Sequence, residues 1–155
     1  MEGSSAAALN QSGQVVGSFS TGGEFGENQP FLWTGGPHTL LPMGSFESGD
    51  PSDINDQGEI VGHGTNIPIK VRIFEMLRQR GWGRWVPRSI EEWAIKEERA
   101  VLWKDGELYD LTKQLVDGKG WILLVAKDIN NKGQIVGEGT FQGKYRAFLL
   151  DPVGN

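Results

Sequence analysis

The chain has no cysteine. That excludes a disulfide framework and thiol chemistry, and it leaves the redox compartment open. There are two histidines, His38 and His63, too few for a convincing metal site without well-placed carboxylates. No run approaches the roughly 18 uninterrupted apolar residues of a membrane-spanning helix. No Gly-rich phosphate loop, nucleophile elbow or His-Glu zinc motif occurs, and nothing implies a cofactor. Carboxylates are numerous, but a sequence cannot set a pair of them at catalytic separation. The start, MEGSSAAALN, has neither the basic region nor the long apolar run of a signal peptide, and it enters a repeat at once. A net charge of −5 argues against bulk nucleic-acid binding.

What is abundant is glycine, 23 of 155 residues, which suits a turn-rich all-β chain of one domain or slightly more. Much of it falls in a motif present in three copies: LNQSGQVVG at Leu9–Gly17, INDQGEIVG at Ile54–Gly62 and INNKGQIVG at Ile129–Gly137. The second copy, preceded by Asp53, superficially resembles a calcium loop. Its twelfth position is Gly64, so the closing carboxylate is missing, and the fifth position is Ser12, Gln57 or Lys132 across the copies. The shared features are the asparagine, both glycines and the flanking apolar residues. Asparagine starts a tight turn by bonding its own chain two residues on, and glycine supplies positive φ. The motif therefore predicts a hairpin built on a type I turn with a left-handed glycine.

A second element follows each copy: PFLWTGG at Pro30–Gly36, AVLWKDGELYDL at Ala100–Leu111 and AFLLDP at Ala147–Pro152. Asp105-Gly106 between apolar runs is a strong short hairpin signal. A full unit reads as four short strands, in the first copy Ala6–Leu9, Gln14–Phe19, Pro30–Thr34 and His38–Leu41. The asparagines lie 45 residues apart, then 75. Four strands in about 40–50 residues are the signature of a β-propeller blade. INDQGEIVG followed by AVLW resembles the bacterial HAF-type family of extracellular repeats, over about two and a half repeats. The resemblance implies propeller-blade-like architecture and an extracellular address. It carries over no catalytic residue.

The repeat is broken once. About fifteen residues separate hairpin and Phe-Leu-Trp strand in the first copy, and about forty in the second. The chain thus divides into residues 1–66 (first repeat and start of the second), an insertion at 67–99, and residues 100–155 (rest of the second repeat and a partial third). Residues 68–99 hold eight Lys/Arg against five Glu, while the remainder holds seven against fifteen Asp/Glu. Ile69, Val71 and Ile73 read as a strand passing into a short helix that ends at Gly81. SIEE at Ser89–Glu92 is a capping box, and it predicts a helix over Ser89–Glu98. Trp82, Trp85 and Trp93 either pack a small core of the insertion, as tryptophan usually does, or form a recognition surface. Arg78, Arg80, Arg84 and Arg88 either pair with neighbouring glutamates on a solvated face or bind an anion or partner. Ser18, His63 and Glu138 share one repeat position. They either face solvent or converge on a propeller axis.

Single-chain propellers need about four to eight blades. Two units and a third without its last strand leave sheet edges and half of an inter-blade core open, which invites pairing with another chain. The expected function is a non-enzymatic structural or binding repeat module. It would self-associate as a dimer or higher oligomer of about six blades, or as a filament where the rotation does not close. The insertion would be its contact surface for a protein or glycan ligand. The alternatives are a lectin-like propeller that stacks sugars on Trp82, Trp85, Trp33 or Trp103, and a propeller-based glycosidase or lyase.

Overall fold

A computed structural model describes residues 3–22, 27–66 and 97–153. The fold is all-β, with three antiparallel sheets and a single short helix among the described residues. The first sheet holds β1 (Ser4–Leu9), β2 (Val15–Ser20), β3 (Asn28–Trp33) and β4 (Thr39–Leu40), in chain order. The second holds β5 (Ser48–Ile54), β6 (Ile60–Asn66), β7 (Glu97–Lys104) and β8 (Glu107–Asp110), again in order. A helical turn, α1 (Leu111–Gln114), leads to the third sheet of β9 (Trp121–Ile129), β10 (Ile135–Phe141) and β11 (Lys144–Leu150). No helix among the described residues is long and apolar enough to cross a membrane.

Each asparagine motif closes the first hairpin of its sheet, as its chemistry predicts. Asn10 Oδ1 accepts from the Ser12 and Gln14 amides at 3.1 and 3.0 Å. Asn55 Oδ1 does the same for Gln57 and Glu59, and Asn130 Oδ1 for Lys132 and Gln134. The first glycine of each motif lies at positive φ: +76° at Gly13, +79° at Gly58 and +74° at Gly133.

The second glycine has a different reason. In each first hairpin the register of the outer strand skips a residue, from Ala6 to Ala8, from Pro51 to Asp53 and from Ala126 to Asp128, and β9 skips a second between Leu123 and Val125. Gly17, Gly62 and Gly137 stand opposite these bulges. A Cβ on any of them would sit 2.1 Å from a facing carbonyl oxygen, that of Ser5, Asp50 or Val125. The bulge brings two backbones together, and only glycine fits between them.

The sheets pack face to face. Val16, Ile54, Ile60, Val101 and Trp103 form a core between the first and second sheets. Val61, Ala100, Leu123, Ile129, Ile135 and Phe148 form one between the second and third. Each fully buried aliphatic side chain contributes about 1.5–3 kcal/mol. The second sheet is thus apolar on both faces. Trp103 is buried with its indole N–H donating to the Pro42 carbonyl at 2.7 Å. Asp110 caps α1 by accepting from the Thr112 amide, and Leu111 drops into the second core.

One expectation is corrected. A helix over Ser89–Glu98 cannot reach its predicted end, because Glu97 and Glu98 already belong to β7, opposite Asn66 and Thr65. The ladder with the seven-residue β6 recruits them, and pairing overrides their helix propensity. The rest of that helix, and the strand-to-helix segment up to Gly81, lie outside the described residues. The insertion leaves between two paired strands, after Asn66, and returns to the same ladder at Glu97.

The bulge makes a stability prediction. Gly62→Ala should cost about 1–3 kcal/mol by overpacking, read as a lower urea midpoint. Gly3→Ala, which meets nothing within 4 Å, should leave the midpoint unchanged. Equal midpoints for the two variants would show that the close approach at Gly62 does not constrain the fold.

Candidate functional site

The three asparagines do more than close their own turns. Asn10 Nδ2 donates to the Asn55 carbonyl at 3.0 Å, and Asn55 Nδ2 donates to the Asn130 carbonyl at 3.2 Å. The other N–H of each amide goes to the side chain four residues on: Gln14, Glu59 or Gln134. A second strand of contacts runs beside this relay. The Gln11 amide donates to Asp56 Oδ1 and the Asp56 amide to Asn131 Oδ1, both at 2.9 Å. Near the second junction the Ile129 amide also donates to Asp53 Oδ2 at 2.9 Å. The sheets are therefore joined twice by nearly the same junction, in one direction along the chain.

The two outermost faces carry the same residue positions without a neighbouring sheet among the described residues. Val16 and Val61 are 0% exposed, whereas Val136, at the same repeat position, is 42% exposed. Ile54 and Ile129 are buried, whereas Leu9 is 69% exposed. Trp103 is 2% exposed and Trp33 is 42% exposed. Leu149 on the third sheet is also exposed, where Leu102 is half-buried. Thus the outer face of the third sheet and the opposite face of the first expose, at these positions, the counterparts of residues buried in the internal junctions.

Two of the three polar residues at the shared repeat position come together. Asp50 accepts from Ser18 Oγ at 2.6 Å and from Asn28 Nδ2 at 3.0 and 3.1 Å. His63 Nε2 lies 3.9 Å from Asp50 Oδ2, too far for a hydrogen bond. The Ser18 hydroxyl is thus directed at a carboxylate and not at an imidazole, and the bond ties β2 to β5. Glu138 instead pairs with Lys127 across its own sheet at 3.4 Å. Asp50 and Asn28 carry no repeat signal: Ser5 and Val125 pair in the register where Asp50 pairs with His63. Trp82, Trp85, Trp93, Arg78, Arg80, Arg84 and Arg88 lie outside the described residues.

A charged pair supports the middle turn. Lys104 Nζ sits 2.7 Å from Glu59 Oε1. Burial pushes the Glu59 carboxyl up, but the bonds from Lys104 and Asn55 together outweigh it and hold it below its ordinary value. Gln14 and Gln134 occupy the corresponding positions in the other copies. A cleft of about 370 Å³ opens between the second and third sheets, lined by Leu102, Leu111, Leu115, Ile135, Leu150 and Val153. Comparison with family models, curated proteins and solved structures finds no match.

Two outcomes follow from the relay. Asn55→Ala strands the Gln57 and Glu59 amides and removes the link to Asn130, and it should cost about 2–4 kcal/mol in urea unfolding. A cost near zero would mean that water replaces the relay. The depressed Glu59 carboxyl contributes stability above its ordinary pKa of 4.5, and this is lost as pH falls through the folded value. Glu59→Gln should therefore flatten the fall of the unfolding midpoint as pH drops below about 5. Parallel curves for the variant and the parent would remove the pair from acid unfolding.

Proposed function

We propose that this chain is a non-enzymatic structural and binding module, a set of HAF-type, propeller-like blades that self-associates to extend or close its array. The observation that carries this reading is the exposure of Val136 and Leu9 at positions whose repeat equivalents are buried. Monomeric surfaces carry scattered apolar residues as a rule, but contiguous apolar faces mark interaction sites. Here the faces also carry, at several positions, the counterparts of a junction the chain already makes. Trp33 fits the same account: its equivalent Trp103 packs between sheets, so its partial exposure follows from its place at the open end. In this reading the basic and aromatic insertion at 67–99 is the specific contact surface, since it leaves the ladder of the second sheet without disturbing the pairing on either side.

Absolute mass in solution tests the proposal, by light scattering behind size exclusion. The expected result is a discrete oligomer, or a concentration-dependent series, above the 17.0 kDa of one chain. A monomer at every concentration up to about 1 mM, where even weak specific association is populated, would overturn it.

A further inference from the structure

We infer that the open face of the third sheet receives the first sheet of a second copy, head to tail, through the junction that already joins the sheets within one chain. This rests on the self-association proposed above and adds its partner surface and its direction.

The direction comes from the relay. Inside the chain, the asparagine amide of one sheet always donates to the asparagine carbonyl of the next. Asn55 and Asn130 carbonyls therefore accept twice, once from their own turn glycine and once from the preceding sheet. Asn10 stands at the accepting end with only the Gly13 amide on its carbonyl, among the described residues. Asn130 stands at the donating end with one N–H on Gln134 and the other directed to no neighbour, among the described residues. One end offers a donor and the other an acceptor, so two like ends do not match and unlike ends do.

The flanking positions agree. Asp128 occupies on the third sheet the place of Asp53, whose carboxylate holds the Ile129 amide. In a second copy the residue at the Ile129 position is Leu9, whose amide would meet Asp128. Gln11 of that copy holds the place of Asp56 and Asn131, and its side-chain oxygen would accept from the Asn131 amide as theirs do from the amide before them. The apolar residues complete the match. Val136 and Leu149 repeat Val61 and Leu102, and Leu9 and Trp33 repeat Ile129 and Leu150. A contact between unlike faces is heterologous: it closes into a ring if the rotation allows and grows into a filament if it does not.

Two surface variants test the direction. Val136→Glu blocks the third-sheet face, and Leu9→Glu blocks the first-sheet face. Both side chains are exposed in one chain, so folding should be preserved, checked by far-ultraviolet circular dichroism and urea midpoint. Burying an unpaired carboxylate in the junction should weaken association about 100-fold or more. Each variant alone should be a monomer. Mixed, the intact face of each should engage the other and give a 1:1 pair of twice the 17.0 kDa chain mass, limited to two chains. A chain carrying both changes should pair with neither. If the unchanged protein assembles but the single variants still do so, or their mixture stays monomeric, the head-to-tail junction is wrong while self-association stands. Pairing through the free edge of β11 would give that result. If the unchanged protein is itself monomeric, both proposals fall.

Discussion

A single carboxamide does two jobs at each of the first two asparagine turns, at Asn10 and Asn55. Its oxygen accepts two amides of its own loop, and one of its N–H groups reaches the backbone of the next sheet. Local turn formation and sheet-to-sheet docking are thereby fixed by the same side chain. Asn10 and Asn55 are buried, where an unsatisfied amide is expensive, so a sheet that tilted or slid would strand polar groups at once. The apolar cores supply most of the favourable free energy, but they are non-directional. It is the relay that selects which face meets which, and at what offset.

The glycines serve the same geometry from the other side. The bulge opposite Gly17, Gly62 and Gly137 puts one strand's carbonyl against its neighbour's Cα, and it turns the residues beyond it. After the bulge, Ala8, Asp53 and Asp128 fall on the face that looks toward the following sheet. Ala8 packs in the first core and Asp53 bonds across the second junction. Without the extra residue the strand would present its other face, because side chains alternate with a period of two. The unpaired residue opposite this glycine thus decides which face each outer strand presents beyond it.

Much of this was legible in the sequence, and the parts that were not share a cause. The turn asparagines, the left-handed glycines and the four-strand units follow from local chemistry, which a repeated motif displays three times over. The Asp105-Gly106 turn was equally plain, and both residues adopt positive φ. The second glycine could be recognised as a backbone device, but its reason lies in a bulge on the neighbouring strand that no local pattern marks. Asn10 to Asn55 is a contact between residues 45 apart, and nothing in either turn announces it. The asparagine spacing was readable; its amide's partner was not. Asp50, the residue that links Ser18 and Asn28, varies between copies and so left no signal. Glu97 and Glu98 mislead in the opposite sense: they look helical alone, and pairing with Thr65 and Asn66 makes them strand.

The two junctions are alike but not interchangeable, and this bears on how the outer faces would choose partners. The first places Ala8 where the second places Asp53, so the first is closed by apolar contact and the second also by a carboxylate on a backbone amide. Glu59 with Lys104 is particular to the middle turn. The third sheet repeats the aspartate form at Asp128, so in the proposed contact its outer face would hold a backbone amide and would disfavour a second acidic side chain. The chain carries a net charge of −5, and copies repel one another beyond contact, an effect screened within about 8–10 Å at physiological salt. Net charge therefore does not draw two copies together. What would hold them is short in range and exacting in geometry: an amide onto a carbonyl, a backbone N–H onto a carboxylate, and valine and leucine against leucine and tryptophan. Such a surface favours a partner that presents the same repeat in the same register, and the first sheet of another copy presents it.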